Sequence, residues 1–180
     1  MNTIKYDGKE YLELQSKGYA AQYAFPFAKQ ILTGKGLDIG PNREEWSFPG
    51  AKMIDLVIPD EYDAFNLPNE KFDYIFSSHC LEHLNDWVGA LNHWSTRLHK
   101  GGIIFLYLPH PDQRYWKPWN NRKHIHILEP KHIEDYFVSK KFNKVFVTQG
   151  YDLNHSFYAV AELYGKMNGL DEIRFNYIWM

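Results

Sequence analysis

FDYIFSSHCLEHLNDWVGALNHWSTRLHKGGIIFLYLP, residues 72–109, packs a strand, a helix and a second strand into one run. Tyr74, Ile75 and Phe76 make a short apolar run of the length of a buried strand, and residues 103–108 make a second, nearly unbroken one. Between them Asp86 is a good helix N-cap, and Trp87, Leu91, Trp94 and Leu98 recur at helical spacing. Lys100, Gly101 and Gly102 then supply a positive last turn and a glycine stop. The pattern predicts a β-α-β crossover with both strands buried. A parallel sheet covered by helices gathers its ligands at the carboxyl ends of its strands, which singles out residues 77–84 and the segment from His110 onward.

Outward from this unit, residues 10–32 show helix-like spacing through Leu14, Tyr19, Tyr23 and Phe27, broken or kinked near Pro26. Leu-Asp-Ile-Gly at 37–40 reads as a short strand entering a tight turn, and residues 51–58 as a second strand ending near Asp55. Only PNREEWSFPG, residues 41–50, separates them, whereas a parallel crossover usually needs a dozen residues or more. The first crossover helix is therefore expected to be shortened or absent. Residues 129–140 read as a helix with Pro130 in its first turn, and 145–147 and 156–161 as late strands. The aromatic tail, 164–180, fits a strand extension, a partner surface or a flap. The expected architecture is α/β: a doubly wound, mostly parallel sheet in a single domain over 1–180. An N-terminal helical cap takes 1–33, the core 34–162 and a C-terminal extension 163–180.

At 180 residues the chain is large enough to bury roughly 70% of its unfolded surface around one core. A single cysteine, Cys80, excludes an internal disulfide framework. The N-terminal residues lack the apolar core of a signal peptide and no window reaches the length of a membrane span, so a soluble, cytoplasmic protein is expected. A net charge of -2 and a pI near 6.5 argue against a nucleic-acid surface. The sequence carries no signal for a particular oligomeric state. Aromatic residues make up 17% of the chain, and most must be core.

A strand carrying Asp38-Ile39-Gly40, followed by one ending in Asp55, suits an adenosine ligand in a Rossmann-like sheet. The turn lets backbone approach the ligand, and the second acid can accept bonds from both ribose hydroxyls. The dinucleotide fingerprint needs G-x-G-x-x-G opening a helix, and this chain has G-P-N-R-E-E. With no pyrophosphate cradle visible, NAD, FAD and nucleoside triphosphates lose ground.

Taken together, Leu37-Asp38-Ile39-Gly40, Asp55, Asp63-Ala64-Phe65-Asn66-Leu67-Pro68, Phe72-Asp73, Leu81-Glu82-His83, Lys100-Gly101-Gly102 and Pro109 resemble the class I S-adenosylmethionine-dependent methyltransferases, especially their small-molecule branch. The resemblance spans residues 36–161 and implies a seven-stranded sheet with S-adenosylmethionine as cofactor and no resident metal. It implies that Asp38, Gly40 and Asn42 face the methionine part and that Asp55, with Leu56, holds the ribose. Asp63 with the Ala64 backbone would read the adenine edge, and Ser78 and His79 would close the pocket from the next strand. The chain departs from the family where Asn42 replaces the usual second glycine. A solvated loop acid is the plain alternative for Asp63, and a catalytically inactive cofactor-binding or assembly module the alternative for the whole chain.

His79, Glu82 and His83 also match H-x-x-E-H, which on a helix sets two imidazoles around zinc with a catalytic glutamate, the signature of a zinc hydrolase. That reading needs a helix throughout and a third ligand. The loop 110–128 mixes possible bases (His110, Asp112, His124, His126) with rings (Tyr115, Trp116, Trp119) and cations (Arg114, Lys117, Arg122, Lys123). Aromatic faces stack on sugars or flat rings and cations pair with phosphate or carboxylate, so a small-molecule or sugar substrate is expected here. For methyl transfer to oxygen or nitrogen the expected base is His110, oriented by Asp112, with His126 second. A strand at 124–126 would put His124 and His126 on one side, where a metal shared with His110 is conceivable.

Overall fold

The computed structural model describes residues 2–58, 62–120, 123–140 and 142–164. Strands β1 (Thr3–Tyr6) and β2 (Lys9–Leu12) form a hairpin, followed by helices α1 (Glu13–Ser16) and α2 (Ala21–Ile31). Then come β3 (Gly36–Ile39), β4 (Lys52–Ile54), β5 (Phe72–Ser78), α3 (Trp87–Ser95), β6 (Leu98–Pro109), α4 (Pro130–Ser139), β7 (Asn143–Val147) and β8 (Ser156–Glu162). The main sheet runs β4-β3-β5-β6-β8-β7. Its first four strands are parallel, and β8 is antiparallel to both β6 and β7. This is the Rossmann-like doubly wound, mostly parallel sheet, with six strands among the described residues where the resemblance implies seven. The C-terminal extension expected from 163 lies, from 165 on, outside the described residues.

Alternation along the strands assigns the two faces. On β6, Ile104, Leu106 and Leu108 point to one side, packing with Ile75, Leu91, Trp94 and Phe137 under α3 and α4. Phe105 and Tyr107 point to the other, with Tyr74 and Phe76, under α2. Helix α2 turns Ala21, Ala24, Ala28 and Ile31, spaced three and four apart, to the sheet, and its three small alanines permit a close approach. In the first crossover only a 3₁₀ turn, Glu44–Trp46, remains, in keeping with the short connection. Phe48 takes over the missing helix's packing: it stacks on Phe76 at 5.1 Å, which stacks on Phe105 at 5.4 Å. A cavity of about 620 Å³ lies against this connection, lined among others by Asn42, Phe48, Met53 and Val57.

Three sequence expectations change. The helical reading of residues 10–32 holds only from Glu13, because Asp7 and Gly8, at φ 46° and 76°, make the tight turn of a hairpin whose second strand reaches Leu12. Pro26 lies on the exposed side of α2, which runs through it unbroken. Lys100, Gly101 and Gly102 are not the end of α3: the helix stops at Ser95, and the glycines belong to β6, where Gly101 N donates to Leu163 O and Leu163 N to Gly102 O. Gly101 is at φ 81°, and the register of β6 on β5 shifts between Phe72 and Tyr74.

Candidate cofactor and acceptor site

The carboxyl ends of β3, β4, β5 and β6 come out on one edge of the sheet, carrying Gly40, Asp55, Ser78-His79 and His110. Gly40, at φ 86°, donates to Ile54 O, and a Cβ there would lie 2.4 Å from Cys80 Sγ. The turns after β3 and β5 thus touch, and only glycine fits between them. Asp55 stands just past β4 and accepts Asn42 N (2.7 Å) on one oxygen and Val57 N (3.1 Å) on the other. Each oxygen keeps a lone pair, so the bonds that shape the turn leave room for hydroxyl donors. Asn42 is at φ 66°, a conformation asparagine tolerates, so it supplies the turn that the family's glycine makes.

Asp38 is placed differently. It lies within β3, 1% exposed, and its carboxylate accepts Phe48 N at 2.6 Å. Burial pushes its carboxyl up to about 7. It therefore pins the short crossover from inside the sheet. Asp63 Oδ1 accepts both Phe65 N and Asn66 N, closing a tight loop, and Ala64 O accepts the Trp94 indole at 2.7 Å. Leu56, Val57 and Phe65, beside Asp55 and Asp63, are 85%, 58% and 47% exposed, an apolar rim around two carboxylates. Ser78 is buried at the end of β5, and its hydroxyl has no hydrogen-bond partner among the described residues. Unsatisfied Ser78, the glycine turn and the spare lone pairs of Asp55 together fit an adenosyl ligand.

The next turn holds four titratable groups. His79, at φ 48°, donates Nε2–H to Ser156 Oγ, which itself donates to Asn154 O. Residues Leu81–His83 form a single 3₁₀ turn rather than an α-helix, so the H-x-x-E-H geometry of a zinc hydrolase is not made. Glu82 is fully buried, and Oε1 lies 3.9 Å from His79 Nδ1, 3.7 Å from His83 Nε2 and 3.8 Å from His124 Nε2. Burial pushes Glu82 up and His79 well down, the latter also through the charges of His124 and His83, and it takes His124 to about 4. Burial likewise raises the Cys80 thiol, which stays protonated.

In the loop 110–128, both His110 ring nitrogens are engaged: Nδ1 accepts Asp112 N at 3.1 Å and Nε2–H donates to Gln149 O at 3.1 Å. The Asp112 carboxylate is 3.8 Å from Nδ1 and largely exposed. His126 donates Nε2–H to Leu84 O, while Ile125 N and His126 N donate to Glu82 O. Residues 124–126 form no strand, and the pairing of His124 with His126 and His110 is not made: His124 turns toward Glu82, with Trp116 stacked on it at 5.6 Å.

The N-terminal hairpin, which sequence reasoning left out of the site, covers this loop. Buried Tyr11 Oη accepts Arg114 N (2.7 Å) and Tyr115 N (3.3 Å), Lys9 Nζ donates to Asp112 O, and Tyr115 packs on Tyr6 and Tyr11. Between hairpin and loop lies a cavity of about 390 Å³ whose lining includes Tyr6, Asp112, Arg114, Lys117 and Trp119. Asp-Gly flanked by alternating residues at 3–12 was the available signal.

A mostly parallel sheet with a glycine turn, an acid after β4 and, among the described residues, no phosphate cradle fits the class of S-adenosylmethionine-dependent methyltransferases, with S-adenosylmethionine as cofactor. The methyltransferase domain family matches residues 11–156, and the chain belongs to it. No curated protein sequence matches the chain significantly. Among solved structures it is similar to a SAM-dependent methyltransferase from Archaeoglobus fulgidus (14% identity, 83% of this chain and 97% of the other, TM-score 0.61). It is also similar to the N-methyltransferase NodS from Bradyrhizobium japonicum WM9 in complex with S-adenosyl-L-homocysteine (15%, 84% and 88%, 0.54). A third is the CurJ carbon methyltransferase (15% identity, TM-score 0.50), where 77% of this chain covers about half, 51%, of the other. At these identities the likeness is one of fold, and the named acceptor atoms differ among these proteins.

Proposed function

We propose that the protein transfers the methyl group of S-adenosylmethionine to an oxygen or nitrogen of a small polar acceptor, a sugar or sugar nucleotide being the favoured class, in the cytoplasm. The observation that carries this reading is the convergence of Gly40, Asp55 and Ser78 on the strand-end edge that also bears the 110–128 loop. The cofactor supplies an electrophilic methyl on a sulfonium; the chain must hold it, hold the acceptor and keep water out. Asp55 accepts the ribose hydroxyls, Asp63 accepts the adenine amino group through its second oxygen, and the rim of Leu56, Val57 and Phe65 covers the base. Ser78 and His79 close the pocket at β5. Asp38 acts from behind by fixing the crossover.

On the acceptor side, the hairpin cavity sets the rings of Tyr6 and Trp119 among Asp7, Asp112, Arg114 and Lys117, a mixed aromatic and polar lining that suits a sugar. His110 has both nitrogens bonded to backbone partners, so it holds the loop's shape, and the exposed Asp112 carboxylate beside it is the group placed to take an acceptor proton. His126 clamps the far end of the loop to Leu84. Calorimetry with S-adenosylmethionine and S-adenosylhomocysteine, followed by mass spectrometry of a sugar, sugar-nucleotide and amine panel, tests the reading. Binding of both and one methylated product are expected; absence of binding overturns it, and binding without any product favours the inactive module.

A further inference from the structure

Glu82 is an acid with no exposed surface, and among the described residues both of its carboxylate oxygens are buried and without a hydrogen-bond partner. A buried carboxylate in that state is normally compensated by donors or a cation.

Its neighbours are aimed at it but do not satisfy it. The Nδ1 of His83 is 2.8 Å from Lys123 O, a carbonyl that only accepts, so Nδ1 carries a hydrogen and the ring turns Nε2 toward Glu82. Holding an imidazole by a backbone carbonyl on its far nitrogen is how proteins orient metal-binding histidines. His124 presents Nε2 to the same oxygen, under the stacked Trp116 ring. The two segments cannot drift apart, because Ile125 N and His126 N both donate to Glu82 O.

One ligand atom from each of Glu82, His83 and His124 lies within 4.8 Å of the other two. Oxygen-to-nitrogen separations of 3.7 and 3.8 Å are too long for hydrogen bonds. They lie close to the roughly 3.4 Å between two ligands each about 2.1 Å from a tetrahedral ion, so small side-chain rotations would close the set.

We infer that Glu82, His83 and His124 form a binding site for a divalent first-row transition-metal ion of the zinc type. Two imidazoles and a carboxylate are the donor set of such ions rather than of magnesium or calcium. Three protein ligands leave a coordination position open, and His83, the most exposed of the three, marks the approach from solvent. This is not the arrangement of H-x-x-E-H: Glu82 is a ligand rather than a base, and the second imidazole comes from the loop after β6, more than forty residues downstream. His79 lies beside the carboxylate, its Nδ1 3.9 Å from Oε1, but its own hydrogen bond is to Ser156.

The full chain, stripped with a chelator and dialysed, is titrated with Co²⁺ followed optically and with Zn²⁺ in competition, and S-adenosylhomocysteine affinity is measured on the same samples. One equivalent of Co²⁺ should bind with the intense visible bands of a four-coordinate nitrogen and oxygen site, and Zn²⁺ should displace it. Glu82→Gln, which keeps the buried volume, and His124→Ala should each weaken binding at least 100-fold, whereas exposed His99→Ala should not. Wild-type protein without stoichiometric bands, or variants that bind as wild type does, would overturn the inference. The wild-type spectrum decides even if a variant fails to fold. Loss of the metal result with intact S-adenosylhomocysteine binding removes this site alone, and the reverse removes the cofactor reading alone.

Discussion

Residues at the strand ends divide the labour between shaping the pocket and meeting the ligand. Asp55 shapes the turn by accepting from Asn42 and Val57, and in the proposed function it also meets the ribose. Asp55→Ala should weaken S-adenosylhomocysteine binding by roughly 1.5 to 3 kcal/mol, the scale of lost charge-assisted hydrogen bonds; calorimetry giving an unchanged affinity would place the ribose elsewhere. Asp38 is the opposite case, a structural acid with its carboxyl raised from 3.8 to about 7 by burial. Between those values the folded protein holds a proton that the unfolded chain has released. Its contribution is thus complete below about 4 and is lost as pH rises through about 7. Urea unfolding from pH 4 to 8 should show stability falling over that window, and Asp38→Asn, which still accepts from Phe48 N, should flatten the fall. An identical slope in the variant would assign the effect to other groups.

At the level of elements, the hairpin β1–β2 ties itself to the loop 110–128 through the Tyr11 hydroxyl, the Lys9 ammonium and the Asp7 carboxylate. Tyr11→Phe removes the acceptor of two backbone N–H groups, at Arg114 and Tyr115. It should cost about 1 to 3 kcal/mol in chemical denaturation and raise the acceptor KM, with S-adenosylhomocysteine affinity preserved. Equal losses on cofactor and acceptor would mean that the hairpin supports the whole edge rather than the loop. The β5-α3-β6 unit was legible in the sequence because its apolar runs and the Asp86 cap are local signals, and Asp86 does accept Gly89 N. Its glycine stop was misread because Gly101 and Gly102 pair with Leu163, a partner some sixty residues away that no local pattern announces. Gly40 was legible as a turn residue because its positive φ is a local property, whereas its contacts with Ile54 and Cys80 are not local. The meeting of Glu82 with His124 was not, since it depends on where a long loop folds back, and a short motif drew attention to His79 instead.

Across the whole molecule, the sheet places its parallel half, β4-β3-β5-β6, beneath the cofactor edge and its antiparallel pair, β8 and β7, beyond β6. Helices α3 and α4 cover one face, while α2 and the Phe48 connection cover the other, so the missing first helix changes one corner without opening the core. The order of the last two strands carries a further consequence. Strand β8 lies between β6 and β7, although it follows both in the chain. While the protein is being made, β6 leaves the ribosome with seven consecutive ladder positions, residues 103–109, whose outer edge has no partner until residues 156–162 are synthesised. A nascent chain must carry that bare apolar edge through some fifty further codons. A premature stop just before codon 156 would therefore be as damaging as one much earlier, yielding a product for chaperones and proteases rather than a slightly shortened enzyme.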